Sequence, residues 1–198
     1  LFYGWASNRA ALVTDPGSVW SNANNLVLGD RGGGNSIEVT NYGRLVVAQD
    51  LIVGRDPTTS TGNVLRIGSN GTVVVGGTLD VRGGTTELLP GGTLTVGELA
   101  LTNATGGFDF SGGTLDAGGI LVSNGQPFVV GDGTNLAVLN LTGGPNVFSD
   151  GLVVNSNASV TGTGTVSGLV TLNGGTISPA GSGAAGTLGF SDLTLTGG

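Results

Sequence analysis

GTVVVGGTLDVRGGTTELLPG (residues 71–91), GTLTVGELALTNATGGFDFSG (92–112) and GTLDAGGILVSNGQPFVVGDG (113–133) follow one another without interruption and align on their leading glycine. Each holds three short apolar runs separated by Gly, Asn, Thr or Pro. In the first run, alternation puts Val73 and Val75, Leu94 and Val96, and Leu115 and Ala117 on one side of a strand. In the second, with a one-residue gap after the first corner, Leu79 and Val81, Leu99 and Leu101, and Ile120 and Val122 do the same. The third supplies Leu88, Phe108, Phe110, Phe128 and Val130. Three strands of about five residues, each with one aliphatic face inward, describe a triangular coil. Coils stacked at about 4.8 Å satisfy one another's backbone hydrogen bonds.

Working outward, the same anchor recurs at Gly17 (GSVWS) and Gly43 (GRLVV), so the repeats start at 17, 43, 71, 92 and 113, with spacings of 26, 28, 21 and 21 residues. One repeat of this length is one coil of a solenoid. The early coils carry longer corners, GDRGGGNS (Gly29 to Ser36) and GRDPTTSTGN (Gly54 to Asn63), expected to project from one edge. Gly and Asn are expected at corners because such bends often need positive φ. The expected fold is all-β, a single-stranded right-handed parallel β-helix with roughly triangular coils of about 21–28 residues. Its handedness follows from the crossover preference alone. Residues 1–198 read as one solenoid domain, with 1–10 as an N-terminal cap or docking segment and 134–198 as less regular coils. Roughly eight or nine coils give a rod on the order of 40 Å long.

Composition narrows the function classes. The chain has 41 Gly in 198 residues, 38% hydrophobic and 10% charged residues, a net charge of -7, no Cys, Met or His, and no Lys. Collagen is excluded by the missing three-residue glycine period, and disorder by the alternating Val, Leu and Ile runs. An acidic chain without Lys is unsuited to tracking nucleic-acid phosphates, so no nucleic-acid partner is expected. No apolar run approaches the roughly 20 residues needed to span a bilayer, so no membrane insertion is expected. A start at Leu1, without a basic stretch and apolar core, is read as a processed product or a piece of a longer chain. The lack of thiols and of Lys suits an extracellular bacterial surface.

The stretch from Ser7 to Gly54 resembles the type V secretion and PEP-CTERM-associated repeat. That pattern runs as a short valine strand, a Gly-Ser-x-Trp turn, an Asn-rich bend and a strand ending in an aliphatic-Gly pair. The matching positions are Val13 and Thr14, then Gly17, Ser18 and Trp20, then Asn22 to Asn25, then Leu28 and Gly29. The later GGTISPAGSGAAGTLGFSDLTLTGG is similar to the segment near the end of autotransporter passenger solenoids. The resemblance implies a secreted bacterial β-solenoid at the cell surface and carries no activity with it.

Without His, Cys or Lys there is no Ser-His or Cys-His pair, no Schiff-base lysine and no usual zinc site, so no enzyme is expected. A carboxylate pair, as in polysaccharide-cleaving β-helix enzymes, is the remaining catalytic option. Asp80 and Asp116 both follow GTL, but the coil alignment puts them on different sides of the triangle. Asp109, between Phe108 and Phe110, is expected to face outward with no second carboxylate in a matching place. The VVGDGTN turn at Asp132 is the only weak calcium candidate, and no other cofactor is expected. Asn70, Asn103, Asn140 and Asn157 each begin an Asn-x-Ser/Thr sequon.

Function is therefore expected at the ends, where a solenoid exposes uncovered coils. Leu1, Phe2, Tyr3 and Trp5 at one end, with Leu193 and Leu195 at the other, are candidates for head-to-tail self-assembly into a stalk, surface layer or filament. The alternative is an adhesin that meets surface glycans or other cell-surface proteins through the long early corners, although those corners hold no aromatic residue.

Overall fold

The computed structural model describes residues 5–180 and 185–196. Its strands stack as parallel coils with no helix among the described residues. Every coil contributes to three faces. The first face is built from Val19–Asn22, Arg44–Val47, the opening halves of Thr72–Val81 and Thr93–Leu101, then Gly113–Ala117, Ala137–Leu141, Ala158–Gly162 and Thr176–Pro179. These eight segments pair in register, so one inward column runs Trp20, Leu45, Val73, Leu94, Leu115, Leu139, Val160, Ile177. The second face has the equivalent column Leu26, Leu51, Leu79, Leu99, Ile120, Asn146, Val166, Phe190. The third begins with Ala11, Ile37, Leu65, Thr86 and Phe108. It resumes with Phe128, Leu152, Val170 and Leu193.

The inward residues read from the repeat form the core: Val73, Leu79, Leu88, Leu94, Leu99 and Leu115 are fully buried. The one-residue gap required after the first corner is a bulge, with Val96 opposite Val75 but Glu98 opposite Thr78. The first and second faces run without interruption through residues 134–180, so the later coils belong to the same stack.

Two expectations about corners change. At the anchor glycines, positive φ is only part of the cause. Gly17 and Gly113 do have φ of +89° and +85°, but Gly43 and Gly71 do not. A Cβ at Gly43 or Gly71 would instead overlap the carbonyl of Val13 or Val39 in the preceding coil. The repeat therefore keeps glycine there because consecutive coils approach too closely for any side chain. The long early corners do lie along one edge, between the second and third faces, but they are bonded to each other and not free. Asn35 and Asn63 are fully buried. Asn63 Oδ1 accepts from Asn35 N at 3.0 Å and from Asn35 Nδ2 at 2.9 Å. Asn63 Nδ2 donates to Ser60 O at 2.6 Å, and Arg9 N donates to Asn35 Oδ1 at 3.0 Å.

The third face is interrupted once among the described residues, between Gly107–Phe110 and Phe128–Val130. Aromatic packing bridges the interruption, with ring centroids of Phe108 and Phe128 5.3 Å apart and those of Phe128 and Phe148 5.6 Å apart.

Two substitutions test the column architecture in opposite directions. Leu94→Ala leaves a cavity in a closed column and is expected to cost about 2–5 kcal/mol, lowering Tm by about 5–15 °C in thermal unfolding. Thr86 sits in the apolar third column with its buried hydroxyl unpartnered. Thr86→Val, of nearly the same shape, is expected to raise Tm by about 2–4 °C, and a fall would show that the hydroxyl is satisfied.

Candidate assembly face and acidic row

The inward columns are closed over most of the stack and open at its last described coil. Leu193 stacks on Val170, and Leu195 on Leu172. Val170 is fully buried, whereas Leu193 is 46% and Leu195 72% exposed, and among the described residues no further coil lies against them. Ile177 and Phe190 end the first and second columns beside them, each only partly buried. The four side chains make an apolar cross-section bordered by strand edges whose partners lie on one side only. Leu193 and Leu195, two of the expected assembly candidates, thus stand in one cross-section with Ile177 and Phe190, which inward alternation in the last described coil places beside them.

The opposite end differs. Leu26 and Leu28 in the first coil are already fully buried, and Val13 nearly so. Residues 6–9 run along the next coil's corner: Asn35 Nδ2 donates to Ala6 O at 2.9 Å and Asn8 N to Gly33 O at 3.1 Å. Trp5 is 74% exposed, and Leu12 and Val19 are also exposed near it in the chain. Leu1, Phe2 and Tyr3 lie outside the described residues.

The carboxylates fall into separate settings. Asp80 on the second face accepts from Arg82 Nε at 2.7 Å, and Asp116 on the first face accepts from Asn140 Nδ2 at 2.8 Å. They are on different faces, as the coil alignment indicates. Asp109 faces outward as expected, but it does have a second carboxylate beside it. Parallel register sets it directly against Glu87, in an outward row that runs Glu38, Arg66, Glu87, Asp109. The alignment had shifted the third strand by one residue and so concealed the neighbour. Arg66 Nε donates to Glu87 at 2.7 Å, which leaves Asp109 beyond the only cation of the row. Burial first, then the charges of Glu87 and Asp132, push the Asp109 carboxyl above its ordinary value.

The Asp132 turn has the opposite electrostatics. Its Oδ1 accepts from Thr134 N, Thr134 Oγ1 and Asn135 N, each at 2.8 Å, and its Oδ2 accepts from Asn135 Nδ2 at 2.7 Å. Hydrogen bonds from the Asn135 and then the Thr134 backbone hold this carboxylate well below the usual range. Both oxygens thus serve the turn itself. Among the described residues no group of three or more His, Cys, Asp or Glu is placed to hold a metal ion.

A three-faced stack of about eight parallel coils with an aliphatic interior defines a β-solenoid. No protein-family model matches the chain, and neither a curated protein nor a solved structure does.

The two aspartates respond oppositely to pH. Asp109 has a raised folded pKa, so ionising it opposes folding, and that penalty is relieved as pH falls through the raised value. Asp109→Asn is expected to raise Tm by about 1–2 °C at neutral pH, with the gain gone by roughly pH 3. Asp132 has a lowered folded pKa, so it stabilises above its unfolded value and loses that contribution as pH falls toward the folded value. Asp132→Ala is expected to lower Tm at neutral pH and to matter progressively less in acid, as measured by thermal melts across pH.

Proposed function

We propose that the chain is a structural β-solenoid of an extracellular bacterial surface, a rod of a stalk, surface layer or filament that lengthens by receiving another coil on its last one. The observation that carries this is the exposed apolar cross-section of Ile177, Phe190, Leu193 and Leu195 at the last described coil, in register with a core that is closed over most of the stack behind it. Burying such a surface on a matching coil is favourable at about 25 cal/mol per Å² of apolar area, and edge strands add backbone bonds at the same step. The exposed Trp5 at the opposite end supplies an aromatic contact for the joint. The absence of Lys and Cys fits exposure outside the cell. A head-to-tail joint of this kind is heterologous and does not close, so it propagates into fibres.

Sedimentation velocity and negative-stain microscopy over a range of concentrations test the proposal. The parent chain is expected to give fibres or a ladder of head-to-tail oligomers. Leu193→Glu with Leu195→Glu should leave single rods of about 40 Å with unchanged circular dichroism. Deleting residues 1–5 should likewise leave a folded monomer. A parent that stays monomeric at high concentration, or fibres that persist in the double variant, would overturn the joint.

A further inference from the structure

The interruption of the third face coincides with a residue that cannot supply the ladder's opening amide. In earlier coils the amide that opens this face donates to the preceding coil, from Ser36 N to Arg9 O at 2.7 Å and from Val64 N to Asn35 O at 2.8 Å. Register carries the position through Thr85 and Gly107. The bond from Gly131 N to Phe110 O, at 2.9 Å, carries it on to Pro127, whose nitrogen has no proton to donate. Asn124 Nδ2 donates to Gly106 O in its place, at 3.0 Å. Between these two bonds the coils part, and a cleft of about 350 Å³ opens on the same edge as the long corners. Its size lies within the range of small-ligand sites.

The lining has a definite chemistry. Phe108 and Phe128 supply an apolar wall, Thr85, Thr105, Asn124 and Gln126 supply neutral polar groups, and no charged side chain lines the cleft. Thr105 Oγ1 is committed to Arg82 O at 2.7 Å, and Asn124 to Gly106. The Thr85 hydroxyl and the Gln126 side-chain amide have no protein partner. Unpaired neutral donors and acceptors beside an aromatic wall match a pyranose, which presents C–H bonds on one face and hydroxyls around its edge. Glu87, paired with Arg66, and Asp109, which has no cation of its own in the row, lie two residues further along the same strands as Thr85 and Gly107, facing outward, so the nearest net charge on that row is negative. We propose that the cleft opened by Pro127 binds a neutral sugar ring, with Phe108 against its C–H face and Thr85 and Gln126 bonding its hydroxyls. Uronic acids are disfavoured by the neighbouring carboxylates.

Saturation-transfer NMR on the full chain tests this with D-glucose, D-galactose, N-acetyl-D-glucosamine and cellobiose as probes and D-glucuronate as the charged comparator. At least one neutral sugar is expected to bind with a Kd on the order of millimolar, at least about fivefold more tightly than glucuronate. Thr85→Val with Gln126→Ala is expected to weaken that binding about tenfold without moving Tm, because neither side chain bonds to the protein. Pro127→Val returns the missing amide, and should weaken binding by letting the ladder close. Absence of binding for all four neutral sugars at about 20 mM would overturn the proposal. So would equal binding of glucuronate, or undiminished binding by the Thr85/Gln126 double variant. The open last coil lies elsewhere on the rod, so these outcomes leave the assembly proposal to its own test.

Discussion

The in-register parallel ladder between consecutive coils is the constraint on which everything else in this structure depends. Each coil must deliver its amides and carbonyls to the same height and position as its neighbour, because a backbone group without a partner inside the stack costs about as much as a lost hydrogen bond. Identical registers then place Leu94 against Leu115 and Leu99 against Ile120, so a short aliphatic repeat becomes a continuous core. The same closeness forbids a side chain at Gly43 and Gly71, where the preceding coil's carbonyls occupy the space.

Much of this was legible because period-two alternation and a fixed coil length are both written in the residues. The gap after the first corner and the placing of Asp80 and Asp116 on different faces follow from the same alignment, and both hold in the structure. What stayed hidden depends on register at single-residue precision. Glu87 faces Asp109 only when the third strand is set one residue from the alignment drawn on the anchor. The cleft was hidden for a different reason. Pro127 reads in sequence as an ordinary corner residue, and its effect appears only once the coil before it is known to need an amide at that position. The Asn35 and Asn63 side chains were likewise read as parts of projecting corners, whereas their amides supply bonds inside the ledge.

The distribution of chemistry along the rod is uneven. The interior is apolar over most of its length, and the outward carboxylates are mostly spent on Arg66, Arg82, Asn140 or a turn's own amides. Among the described residues two regions stand apart on the surface: the last described coil, with its exposed leucines, and the edge beside Pro127, with its unpaired hydroxyl and amide. One offers area and the other offers specific polar contacts. The two ends also differ, since Leu26 and Leu28 are closed off in the first coil while Leu193 and Leu195 are open in the last.

A chain of near-identical turns faces a hazard that a globular domain does not: a segment can pair with the wrong turn and still bury a satisfactory aliphatic stripe. The buried Asn35–Asn63 pair answers it. Its bonds need one asparagine directly against another, and the following coil has Gly84 at that position, where a Cβ would overlap Asn63 O. A slip by one turn would strand an amide in the interior, at a cost of about 1–3 kcal/mol that the aliphatic columns alone would not impose. The pair thus acts as an index mark, telling the first turns apart from those that follow while the chain winds.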